Sequence, residues 1–195
     1  SAHASPEQQG AGLAKFLSAA TPGASVGRAV VFVPATPGPW LDKVLAAARF
    51  NQGFKTTEYL ASAVLDQRWH QLPAGKTPSA DGVMAFEQAA LKQAGLQLPM
   101  IDPRYHSLFF SHVFSGGYAA GYYAYIWSDV LARDTESWMT RHGGLDRANG
   151  DFLRAKVLSR GRSADVLSLF QSFYGAAPDI GPLLEHRGLA APKPQ

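Results

Sequence analysis

Phe110-Ser-His-Val-Phe-Ser-Gly-Gly-Tyr-Ala-Ala-Gly-Tyr-Tyr-Ala-Tyr125 is the stretch on which the fold turns. Its paired glycines, Gly116 and Gly117, make a hinge whose backbone can approach a ligand closely. From there the pattern predicts one long helix, running to about Arg141 and closed by Gly143-Gly144. At about 100° per residue, that helix puts Tyr123, Ile126, Trp127, Val130 and Leu131 on one apolar stripe. Tyr118, Tyr122 and Tyr125 fall on another, centred roughly 130° away. Two readings fit the second stripe. The tyrosines are packing residues with half-wet hydroxyls, or they form the wall of a cleft beside the glycines and His112. In a cleft, phenol hydroxyls and a histidine are neutral donors suited to stabilising an oxyanion.

Helical texture extends outward in both directions. Leu41, Val44, Leu45 and Ala48 follow the i, i+3, i+4, i+7 template, and Leu60, Val64 and Leu65 continue an apolar face. One helix is expected from Trp40 to about Leu72, with Gly53 tolerated inside it and Pro73 and Gly75 ending it. A second begins near Ser79 and Asp81 and stops at Gly95. Residues 96–103 connect it to the tyrosine segment. Beyond Gly144, helices are expected over 151–158, 165–173 and 180–187, the last stopped by Gly188. Residues 1–39 read differently: Ala, Gly, Pro and Ser dominate, with Glu7, Lys15 and Arg28 as their charges. Residues 12–20 suit a short helix, and Arg28-Ala-Val-Val-Phe-Val33 is a β-prone run ended by Pro34. The expectation is an all-α fold over 40–189, a loosely organised extension over 1–39 and a frayed tail over 190–195.

Composition narrows the chemistry. The 195 residues are 46% hydrophobic and 17% charged, which suits a folding chain. No stretch approaches the roughly 20 apolar residues of a membrane span, and no secretion signal is visible. The net charge is +3, but the basic residues are scattered and form no nucleic-acid footprint. Cysteine is absent, leaving His, Asp and Glu as metal ligands. His3 lies in the extension, and His70, His142 and His186 sit at helix ends, where capping or structural roles are usual. His106 and His112 are six apart, a poor spacing for two ligands on one helix face. There is no HExxH and no histidine pair four apart, so no helical zinc site is expected. Glu58 and Asp129 could serve as acids, although lone carboxylates on helices are mostly surface charges. GxSxG, P-loop and dinucleotide fingerprints are also absent.

Several ordered motifs together carry a family resemblance. Arg49-Phe-Asn-Gln-Gly-Phe-Lys-Thr-Thr-Glu-Tyr-Leu60, the tyrosine segment through Trp127-Ser-Asp129, Gly143-Gly-Leu-Asp-Arg-Ala-Asn-Gly150, Val157-Leu-Ser-Arg-Gly161 and Leu184-Glu-His-Arg-Gly-Leu189 resemble the thimet oligopeptidase and peptidyl-dipeptidase family of zinc metallopeptidases. The similarity covers about 40–189 and fits the bacterial peptidyl-dipeptidase branch best. It implies the C-terminal part of a helical fold with a deep channel that cleaves short peptides. The family's zinc sits on an HExxH helix and a later glutamate. Those lie upstream of the matching segment, so no cofactor is expected in this chain.

By resemblance, His112, Tyr118 and Tyr125 hold substrate backbone and stabilise the oxyanion. Tyr122 lies on the same wall, and Gly116 and Gly117 let the loop close over substrate. Ser115 replaces a usual third glycine, and Arg162 and Ala164 replace a usual Gly and Arg. The reading is a peptidase-family fragment with the substrate-side half of an active site, inactive alone. The alternative is a non-enzymatic helical module that binds peptides or is completed by a partner, through self-association or a missing catalytic half. The resemblance leaves the compartment open between bacterial cytoplasm and periplasm.

Overall fold

The computed structural model describes residues 39–191. The helix suggested over 12–20 and the β-prone run at 28–33 lie outside them. Eight α-helices are described: α1 (Pro39–Ala48), α2 (Gln52–His70), α3 (Val83–Gln93), α4 (Ser111–Phe114), α5 (Ala124–Arg141), α6 (Arg147–Leu153), α7 (Val166–Tyr174) and α8 (Gly181–Arg187). Short 3-10 turns at Ala80–Gly82 and Ser107–Phe109 and a π-helical turn at Arg154–Leu158 complete the set. Among the described residues there is no strand, only an isolated bridge between Leu98 and Ile101. The all-α expectation holds over this range. No helix among the described residues is long and apolar enough to cross a membrane.

Two compact units partition the chain, one of residues 51–129 and one that pairs residues up to 50 with 130 onward. In the 51–129 unit, α2 carries the core. Ala61 and Leu65 pack with Ala90 and Leu91 of α3. Ala63 packs with Phe110, Val113 and Tyr122. Small residues at 61–63 let neighbouring elements approach the helix, and full burial of Leu65 contributes about 2 kcal/mol. Two carboxylates sit inside this unit, Asp66 and Glu87, each almost wholly buried. Glu87 accepts from the Ser107 backbone N–H and hydroxyl at 2.8 and 2.9 Å and pairs with His106. It thereby pins the chain that leads into the tyrosine segment, where Trp69 also donates to Ser107 at 2.8 Å.

In the other unit, Trp138 and Met139 of α5 pack with Phe170 and Phe173 of α7. Asp146 and Asp165 cap α6 and α7 by accepting from Asn149 and Ser168. Buried Asp134 accepts from the Asp179 backbone N–H at 2.9 Å, and desolvation pushes its carboxyl above the ordinary range.

Three expectations need correction. The single helix over 40–72 is two helices, and the break falls at Asn51, in the left-handed region at φ 56°; Gly53 does lie inside the second helix. Asparagine tolerates that conformation because its short polar side chain bonds locally. The helix expected to follow Gly117 starts only at Ala124. Tyr118 and Tyr122 therefore do not lie on it, and the helical-wheel argument does not describe them. The helix predicted at Asp151 begins at Arg147, one residue after its Asp146 cap.

Candidate functional site

The tyrosine segment is a loop held from below by α2. It enters through α4, whose end is closed by Ser115 N–H donating to Ser111 O at 2.9 Å. Gly116 follows with no room for a side chain: a Cβ there would meet His112 O at 3.0 Å and the His112 Cα at 3.1 Å. Gly117 takes φ 82°, which glycine adopts without steric cost. Ala120 takes φ 54°, which costs a residue with a Cβ about 1 kcal/mol.

Side chains of α2 hold that strained turn. Asp66 accepts from the Ala120 and Tyr122 backbone N–H groups, at 2.8 Å to each carboxylate oxygen. Gln67 Nε2 donates to Ala120 O at 2.7 Å. The Tyr59 hydroxyl donates to Tyr122 O at 2.6 Å and accepts from Ile126 N–H at 3.2 Å, tying the loop to the start of α5. Tyr59, Ala63, Asp66 and His70 recur at helical spacing, so one face of α2 meets the loop along its length. His70 lies beside the group, its Nδ1 hydrogen-bonded to the Asp66 backbone carbonyl at 2.8 Å and 2.8 Å from Asp66 Oδ1.

The aromatic rings divide by depth. Tyr122 is 3% exposed, stacked on Tyr59 at 5.1 Å and edge-on to Phe110 at 4.9 Å. Tyr118 and Tyr125 are 40% and 43% exposed and stack on each other at 5.2 Å. His112 lies 6.5 Å from the Tyr118 ring and 4.7 Å from Tyr105, with its Nδ1 buried and without a hydrogen-bond partner. Burial pushes the Tyr122 phenol up to about 12. A hydrogen bond to Tyr118, with some desolvation, raises Tyr125 above the ordinary phenol value. Both therefore keep their protons across the neutral range.

The sequence-predicted residues are thus brought together, though in different situations. His112, Tyr118 and Tyr125 adjoin one another beside Gly116 and Gly117, with Tyr118 and Tyr125 open to solvent. Tyr122 lies inward and packs beneath them. Sequence reasoning passed over Asp66, Gln67 and Tyr59. A polar residue at Asp66, on the same helix face as Ala63 and Tyr59, was the available sign.

The chain belongs to peptidase family M3, which it matches over residues 34–189. It is 44% identical over 153 residues to the dipeptidyl carboxypeptidase of Salmonella typhimurium, covering 78% of this chain and 22% of that protein. The Escherichia coli dipeptidyl carboxypeptidase is 45% identical over 155 residues, with 80% and 22% covered. Oligopeptidase A of Escherichia coli is 35% identical over 153 residues, with 78% and 22% covered. The chain spans about a fifth of the length of these relatives.

The family is one of zinc metallopeptidases. Among the described residues no three of His, Asp and Glu come together as a ligand group. His70 and His106 are each engaged with one buried carboxylate, Asp66 and Glu87.

Proposed function

We propose that this chain carries the substrate-side wall of a peptidase M3 active site, which binds short peptides and does not hydrolyse them unaided. One observation carries the reading: Tyr118 and Tyr125 stack as an exposed pair beside His112, on a loop fixed from beneath. Phenol hydroxyls are hydrogen-bond donors that suit the electronegative atoms of a peptide backbone. At His112 the walled-in Nδ1 leaves Nε2 as the nitrogen that meets a ligand. When Nε2 carries the proton, it donates to a carbonyl oxygen and stabilises charge developing there. Oxyanion donors lower a barrier but supply no nucleophile, so hydrolysis needs an activated water from elsewhere.

Short peptides follow from the relatives' names, dipeptidyl carboxypeptidase and oligopeptidase. The test is calorimetric titration of the 195-residue chain with an unmodified tetrapeptide, the peptide then being recovered for mass analysis. Saturable binding with intact peptide is the expected result. Hydrolysis by the chain alone, or no binding, contradicts it.

A second reading, completion by a partner, is favoured by large apolar side chains left open in the 51–129 unit. Met100 is 86% exposed, Leu108 69% and Phe109 57%. Isolated apolar residues are ordinary, but this density suits a surface that another polypeptide covers. Light scattering across a concentration series tests self-association. A monomer at all concentrations leaves a different polypeptide as the partner.

A further inference from the structure

The peptide-binding residues project from a turn that its own sequence does not favour. Ala120 sits in the left-handed region although it carries a Cβ, and Tyr118 and Tyr122 flank it. Segments of this kind persist only where surrounding groups over-determine them. Here the surrounding groups are on α2 and converge on two residues, Ala120 and Tyr122. Asp66, with no exposed surface, places one carboxylate oxygen 2.8 Å from Ala120 N and the other 2.8 Å from Tyr122 N. The carbonyls of the same residues are taken by Gln67 and Tyr59.

We propose that Asp66 is a positioning residue for the peptide-binding wall, its carboxylate holding Ala120 and Tyr122 so that the Tyr118 and Tyr125 phenols face one ligand. The carboxylate is chosen by chemistry. Two N–H groups two residues apart need two acceptors, and a carboxylate is the side chain that offers an acceptor on both oxygens. Charge-assisted bonds of this type are shorter and stronger than those between neutral groups. Asparagine would turn an N–H donor toward one of the two amides, leaving two donors facing each other.

Two measurements on the whole chain test this, and the first does not depend on the proposed function. In Asp66→Asn, amide exchange at Ala120 and Tyr122 should speed by about tenfold, while amides of α7 keep their protection. The second measurement is tetrapeptide affinity, which rests on the peptide-binding reading. It should fall by about tenfold in Asp66→Asn and recover in part when Ala120→Gly is added. Glycine reaches the same φ without strain, so the turn needs less holding.

A merely structural Asp66 would lower global stability, leave the affinity of the folded fraction unchanged and gain nothing from Ala120→Gly. That pattern overturns the proposal, as do unchanged exchange rates at Ala120 and Tyr122. If Asp66→Asn does not fold, Tyr59→Phe takes its place. It removes the hydroxyl bridging Tyr122 O and Ile126 N, and faster exchange at Ile126 with weaker peptide binding is expected. A folded Tyr59→Phe with unaltered exchange and affinity overturns the proposal too. If the unmodified chain binds no peptide, the functional reading fails, while the exchange rates still decide whether Asp66 holds the turn.

Discussion

Tyr122 and Tyr125 stand three residues apart, yet one is 3% and the other 43% exposed, and their chemistry separates accordingly. Tyr122 contributes ring area to a cluster with Phe110, Val113 and Ala63. Tyr122→Ala should therefore destabilise the chain by about 3–5 kcal/mol, whereas Tyr122→Phe should cost below about 1 kcal/mol, both read by urea unfolding. The Tyr122 phenol also predicts an alkaline limit. Its folded value is raised to about 12 from the ordinary 10.0, so the folded state holds the proton more tightly than the unfolded chain does. Stability from this group is intact below pH 10 and lost as pH rises towards 12. Absorbance titration of phenolate should show a late-ionising phase, and Tyr122→Phe should diminish it.

The loop from Ser115 to Tyr123 is the element on which the site depends, and sequence pattern alone misread it. Its residues continue an apolar periodicity into α5, so the wheel runs straight through a segment that is not helical. What overrides the pattern is tertiary: carboxylate, amide and phenol groups on α2 take the backbone bonds that a helix would otherwise make. Those partners are more than 50 residues away in sequence and left no local trace. Helix ends set by neighbouring residues were easier to read, as at Gly188, which sits at φ 68° just where α8 stops. The motif residues themselves were legible, and they do converge at the loop. Which of them face solvent was not, because exposure depends on the packing of Tyr59 and Phe110. Gly116→Ala tests the geometry at this scale. Its Cβ would collide with backbone at His112 and Ser111, so the loop must shift. The expected outcome is weakened peptide binding with α2 and α3 intact, seen as altered amide shifts confined to residues 111–126.

At the scale of the whole chain, the match to the family begins at residue 34, and composition changes near residue 39. On the proposed division, deleting residues 1–33, which Ala, Gly, Pro and Ser dominate, should leave Tm within about 4 °C. A collapse of folding would make that segment integral to the domain. Absence of cysteine and of HExxH, with no ligand cluster among the described residues, predicts well under one zinc per chain on metal analysis. One tightly held zinc would restore an enzymatic reading for the chain alone.

Calorimetric titration with a tetrapeptide, run on the unmodified chain and on Tyr125→Phe, tests the central claim most directly. The account predicts saturable binding to the unmodified chain, with the peptide recovered intact. Removing one phenol should weaken that binding by about threefold to tenfold. Equal affinity in the two proteins, no binding to either, or cleavage of the peptide by the unmodified chain would contradict it.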